Sequence, residues 1–129
     1  MNTKILLTVS TLFLGTIGLG LSFLPAEALN ILHIKTSQTS ALIMQLLGAM
    51  YLGFGMMNWM AKGSIIGGIY NKPLVIGNLM HFAIGAITLL KVAFSLNESK
   101  EVLIPLTIIY TLFALGFMAV FTKTPKAVN

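Results

Sequence analysis

Four uninterrupted apolar runs, Ile5 to Leu24, Ala41 to Met60, Leu74 to Phe94 and Val102 to Phe121, constrain this chain more than any other feature. Each is close to the ~20 residues a helix needs to cross a hydrocarbon core. In that medium every backbone N–H and C=O must be satisfied within its own segment or in a closed barrel, so runs of this length fold as helices. The links between them are short, which makes sequential helices antiparallel neighbours. The expected fold is therefore an all-α membrane protein, a four-helix transmembrane bundle forming a single integral domain over residues 1–129. Composition agrees: 57% of residues are hydrophobic and only 9% are charged, against about 25% charged in soluble domains.

Charge narrows the partners. Eight lysines face three glutamates, with no arginine or aspartate. Spread over a soluble domain, such an excess would suggest nucleic acid. Here the lysines stand singly at the ends of apolar runs, where they anchor helices and meet anionic lipid. The bilayer is thus the expected partner, with a membrane protein or further copies of the chain as possible companions and no nucleic acid. The absence of cysteine excludes disulfides, thiolate chemistry and cysteine-ligated metals.

The first run follows Lys4, ends at Pro25 and carries two small-xxx-small pairs, Thr11/Gly15 and Thr16/Gly20, that let a neighbouring helix approach. Lys4 and Ala26-Glu27-Ala28 also fit a secretory signal peptide, but the apolar core exceeds the usual 7–15 residues, so a retained helix is expected. Residues Pro25 to Ser40 form the most polar connection. Its first half, with Leu29, Ile31, Leu32 and Ile34, suits the headgroup region. Ser37, Thr39 and Ser40 are all suitable N-caps for the second span. His33 beside Lys35 reads as a solvated interfacial residue rather than a ligand.

The stretch from Gln45 to Lys91 holds nearly all the polar side chains at membrane depth. In the second span Gln45, Ala49 and Gly53 share a narrow stripe expected to face protein. Asn58-Trp59-Met60-Ala61-Lys62 reads as an exit through the interface, with a belt aromatic and a snorkelling cation. The glycine-rich turn Lys62 to Pro73 lacks the G-x-x-x-x-G-K-[ST] order and a preceding strand, so it is a turn, with Ile65, Ile66 and Ile69 dipping into the interface. Pro73 suits the first turn of the third span.

In the third span Gly77, His81, Gly85 and Thr88 fall on one stripe, with Asn78 close to the same side. His81 is the histidine placed well inside the hydrocarbon. Its structural reading is a neutral imidazole bonded to Asn78, Gln45 or a backbone carbonyl. Its functional readings are a proton relay, or an axial ligand to haem. No second buried histidine, cysteine or carboxylate converges on it, so no metal site is expected. The candidate ligand-binding or polar-network residues are Gln45, Asn58, Asn78 and His81, and the candidate packing residues are Ala49, Gly53, Gly77 and Gly85, bringing the second and third spans into extended contact. The fourth span carries Pro105 in its first turn and a small or hydroxylic stripe of Thr107, Thr111 and Ala114.

With four spans both termini share one side. Lys4, Lys62, Lys72, Lys123 and Lys126 lie there, whereas Lys35, Lys91, Lys100 and all three glutamates lie opposite, so the termini are expected in the cytoplasm. The segment Gln45-Leu-Leu-Gly48-Ala-Met-Tyr51-Leu-Gly53-Phe-Gly55, followed by Ala61-Lys62 and by Gly77-Asn78-Leu-Met-His81-Phe82, resembles small bacterial four-helix membrane proteins of the broad DoxX-like set. The likeness covers the middle third of the chain. It implies a bacterial inner membrane and at most an accessory role, some DoxX-like members being subunits associated with redox enzymes. Gln45 stands where many relatives carry arginine, so no ligand function is carried over.

Three function classes follow: a non-catalytic accessory or scaffold protein, a dimeric transporter or channel, and a redox or lipid-binding protein centred on His81. The first run lacks the glutamate of small multidrug exporters, and the glycine and arginine motif of fluoride channels is missing. An intramembrane enzyme needs more than one titratable group near its substrate.

Overall fold

A computed structural model describes residues 2–63, 71–95 and 98–123. Five helices follow one another: α1 Thr3–Phe23, α2 Pro25–Ile31, α3 Gln38–Ala61, α4 Lys72–Ser95 and α5 Lys100–Lys123. Four of them, α1, α3, α4 and α5, are long and apolar enough to cross a membrane. The chain is an all-α bundle with the architecture of a small integral membrane protein. Ile65, Ile66, Gly67, Gly68, Ile69 and Lys126 lie outside the described residues.

Local chemistry sets the helix ends. Asn2 caps α1, its side chain accepting from Lys4 N at 3.1 Å, so the helix starts two residues ahead of the apolar run. Pro25 cannot continue α1 and instead opens α2. This short helix is an addition to the expected four and occupies the partly apolar half of the first connection. It closes with two return bonds, His33 N to Asn30 O at 3.0 Å and Ile34 N to Leu29 O at 2.9 Å. His33 itself has a φ of 55°, the left-handed position where glycine usually ends a helix. Of the three possible caps for α3, Ser37 is the one used. Its hydroxyl accepts from Ser40 N and the Ser40 hydroxyl accepts from Ser37 N, a reciprocal capping box. Because α5 begins at Lys100, Pro105 falls in its second turn rather than its first. The carbonyl it leaves without an intrahelical partner belongs to Glu101, at the exposed helix start.

The helices run up and down in turn, and the first and second spans and the third and fourth lie together as expected, but the second and third lack the extended contact expected of them. α1 lies closely along α3 and α4 along α5, while α3 and α4 meet mainly through side chains. The α1–α3 seam is built on glycine. A Cβ on Gly18 would stand 3.0 Å from Gly48 O, and one on Gly48 would stand 2.8 Å from both Gly18 O and Ser22 N. Lower in the seam Thr11 Oγ1 donates to Gly55 O at 3.1 Å. The expected stripe of Gln45, Ala49 and Gly53 is exposed, and a Cβ on Gly53 would meet nothing within 4 Å. The reason is rotational. Gly48 and Gly55 lie on the helix face that also carries Tyr51 and Asn58, and burying that face turns the neighbouring stripe outward by about 100° per residue.

Gly77 and Gly85 do face other spans, but not in the close α3–α4 crossing expected of them. A Cβ on Gly77 would make an ordinary 3.6 Å contact with Phe54, and Gly85 lies against the ring of Tyr110 on α5, not against α3. The interior between α4, α5 and α1 is aromatic. Phe82 and Phe117 are fully buried and stacked at 5.7 Å, Phe82 stacks on Phe113 at 4.7 Å, and Phe13 of α1 closes the cluster. At the opposite end from Lys4, Ser99 Oγ donates to Leu32 O at 3.0 Å and ties the α4–α5 link to the end of α2.

Candidate functional site

Two polar layers lie inside the bundle. The first joins α1, α3 and α4. Asn58 and Asn78 are both fully buried and face one another as reciprocal amides: Asn58 Nδ2 donates to Asn78 Oδ1 at 2.8 Å, and Asn78 Nδ2 donates to Asn58 Oδ1 at 2.7 Å. The second proton of Asn58 goes to Ser10 Oγ at 3.0 Å, and that of Asn78 goes to Leu74 O at 2.9 Å. Ser10, also fully buried, passes its own proton to Leu7 O at 3.0 Å. Every N–H and O–H donor of the three side chains is therefore used. In a low-dielectric interior this is the condition under which buried polar groups hold helices together instead of costing stability.

The second layer stands near the midpoints of α3, α4 and α5 and contains Tyr51, His81 and Tyr110. The hydroxyls of Tyr51 and Tyr110 share a hydrogen bond across the bundle. Tyr110 OH also lies 3.5 Å from His81 Nε2, at the limit of hydrogen-bond reach. Gly85 makes this layer possible, since any side chain there would occupy the space of the Tyr110 ring. The imidazole is half-buried and enclosed by rings: stacked on Phe54 at 5.0 Å, edge-on to Tyr51 at 5.2 Å and to Phe82 at 5.0 Å.

Of the four polar candidates read from the sequence, the structure brings Asn58 and Asn78 together, leaves His81 in the neighbouring layer and puts Gln45 on the outer surface. His81 bonds neither Asn78 nor Gln45. Asn78 already spends both protons elsewhere, and the outward rotation of the Gln45 stripe removes the other partner. Asn58, placed in the interfacial exit by sequence reasoning, is buried, while Trp59 and Met60 beside it are exposed and the Lys62 ammonium caps the Trp59 ring. Ser10, Tyr51 and Tyr110 are not among those four candidates. A signal for Tyr51 is present: Gly48, Tyr51, Gly55 and Asn58 repeat at alternating three and four residues, one helix face.

Ring contacts dominate the surroundings of His81, so shape should matter there more than basicity. His81→Phe, which keeps the stack on Phe54, is expected to hold stability within about 1 kcal/mol, whereas His81→Ala empties the slot between three rings at about 2 kcal/mol. Unfolding titrations in mixed micelles measure both. Equal losses for the two variants would show that the Tyr110 contact, not the packing, is what this position supplies.

Compared with family models, with curated proteins and with solved structures, the chain matches none.

Proposed function

We propose that the chain is a non-catalytic accessory or scaffold protein of a bacterial inner membrane. The observation that carries this reading is the saturated junction of Ser10, Asn58 and Asn78: its donors are all committed to holding α1, α3 and α4 in register, which leaves none to turn toward a substrate. The acidic residues support it, since Glu27, Glu98 and Glu101 all sit at one end of the bundle and none within the apolar cores. A second reading, a redox or lipid-binding protein, is favoured by the approach of Tyr110 to His81 beside the Tyr51 hydroxyl.

An accessory protein should travel with its partner. Full-length tagged chain, solubilised in mild detergent, is expected to migrate in an assembly with a stoichiometric second protein whose steady-state amount falls when the chain is deleted. Migration alone, together with loss of a cellular activity in His81→Gln at unchanged stability, would favour the second reading instead.

The lysine bias supports a cytoplasmic position for the end with Lys4, Lys62, Lys72 and Lys123. The lack of cysteine gives a clean background for labelling. Lys35→Cys is expected to react with a membrane-impermeant maleimide in intact cells and Lys123→Cys only after permeabilisation; the reverse pattern would invert the topology.

A further inference from the structure

The α1–α3 pair carries a groove on its outer side that none of the internal polar layers uses. It holds about 390 Å³ and is lined by Thr11, Gly15, Leu52, Gly55, Met56 and Trp59. Its depth comes from missing side chains. A Cβ on Gly15 would meet nothing within 4 Å, and Gly55 brings the α3 backbone against Thr11 and Gly15. The walls are apolar, so the groove suits a hydrocarbon chain rather than a solute.

The head of the groove is cationic. Lys4, Thr11 and Gly15 are spaced by seven and four residues and so share one stripe of α1. The antiparallel register fixed by the Gly18–Gly48 approach and the Thr11–Gly55 bond carries Lys4 level with Lys62. The Lys62 ammonium lies over the ring of Trp59, the residue that closes the groove at this end. Among the described residues no acid balances the pair, because the three glutamates belong to α2, to the α4–α5 link and to the start of α5, at the other end of the bundle. Partly desolvated and facing the charge of Lys4, the Lys62 ammonium is held below the ordinary lysine range, the condition an anion between the two would relieve.

We propose that this groove is a binding site for an anionic phospholipid, with the headgroup phosphate between Lys4 and Lys62, the glycerol region at Trp59 and one acyl chain lying along Gly15 and Gly55. Trp59 suits the glycerol level because an indole offers an apolar face and one N–H donor at the membrane interface. The site would fix lipid at the α1–α3 seam, beside the saturated Ser10–Asn58–Asn78 junction.

The test uses the full-length chain in neutral detergent, titrated in parallel with phosphatidylglycerol, phosphatidylcholine and inorganic phosphate, reading lipid retention by native mass spectrometry and the shift in melting temperature. Phosphatidylglycerol is expected to be retained and to raise the melting temperature, phosphatidylcholine to do so weakly, and phosphate not at all. Lys4→Gln with Lys62→Gln should weaken phosphatidylglycerol binding about thirtyfold, from the loss of two interfacial cations, and the matching arginine pair should retain it. Gly15→Leu should fill the groove and weaken binding while leaving the lipid-free melting temperature unchanged. Equal retention of phosphatidylcholine, a full shift from phosphate alone, or binding that survives both the glutamine pair and Gly15→Leu would overturn the proposal.

Discussion

Gly48→Leu is expected to be the most damaging single change in the molecule, lowering unfolding stability by about 3 kcal/mol. The position has no room even for a methyl group, since a Cβ there would come within 2.8 Å of backbone atoms of both Gly18 and Ser22. Backbone cannot rotate away as the end of a flexible side chain can, so α1 and α3 must separate. Separation also pulls Thr11 from Gly55 O and Ser10 from Asn58. Close approach of this kind is a main source of association between helices in lipid, where burial of apolar surface supplies no driving force. The control lies five residues along the same helix. Gly53→Leu adds the same side chain where nothing lies within 4 Å, and its cost should stay within about 0.5 kcal/mol. Unfolding titrations in mixed micelles compare the two. Equal losses at both sites would mean that helix flexibility, not the α1–α3 crossing, sets the role of glycine in α3.

That contrast also marks the limit of what the sequence discloses. The number and approximate ends of the four long helices follow from hydropathy alone, because backbone saturation in hydrocarbon leaves a run of this length no alternative. Ends then shift by a few residues where a polar cap such as Asn2 or Ser37 extends the helix beyond its apolar core. Which face packs is a finer matter. In α3 the alternatives Ala49/Gly53 and Gly48/Gly55 both offer small residues, and they differ by a rotation of one residue. The choice falls to the face that also buries Tyr51 and Asn58, and that preference depends on partners in other helices. The polar candidates behave alike. Asn58 and Asn78 are conspicuous among apolar neighbours, but the depth of Asn58 and the pairing of the two with each other and with Ser10 depend on the relative height and rotation of three helices. His81 draws attention by its chemistry, yet its setting is made by Phe54, Tyr51, Phe82 and Tyr110, aromatics that look like ordinary membrane residues in the sequence.

Removing one amide of the Asn58–Asn78 pair should cost more than half of what removing both costs. Asn78→Leu deletes both reciprocal bonds and strands Asn58 Oδ1 and one Asn58 proton in a fully buried setting, a loss of about 2 kcal/mol. Asn58→Leu does the same to Asn78 and also leaves Ser10 Oγ without its donor, although Ser10 keeps its bond to Leu7 O. The double variant leaves no stranded amide, and leucine suits the surroundings, so its loss should fall short of the sum of the singles by about 1 kcal/mol or more. Asn58→Asp separates hydrogen bonding from shape. It keeps the outline of the side chain but turns the atom facing Ser10 Oγ and Asn78 Oδ1 from a donor into an acceptor. At neutral pH the variant must either bury a charge or take up a proton, and the protonated carboxyl recovers one donor. The buried charge costs stability and the protonated form avoids that cost, so Asn58→Asp should be nearer to wild type in acid than at neutral pH, whereas Asn58→Leu should show no such recovery. A double-mutant cycle by unfolding titration, repeated at two pH values, measures both effects. Additive single losses with no pH-dependent difference would show that the two amides do not act as one unit, and the junction could not then be what sets the register of α1, α3 and α4.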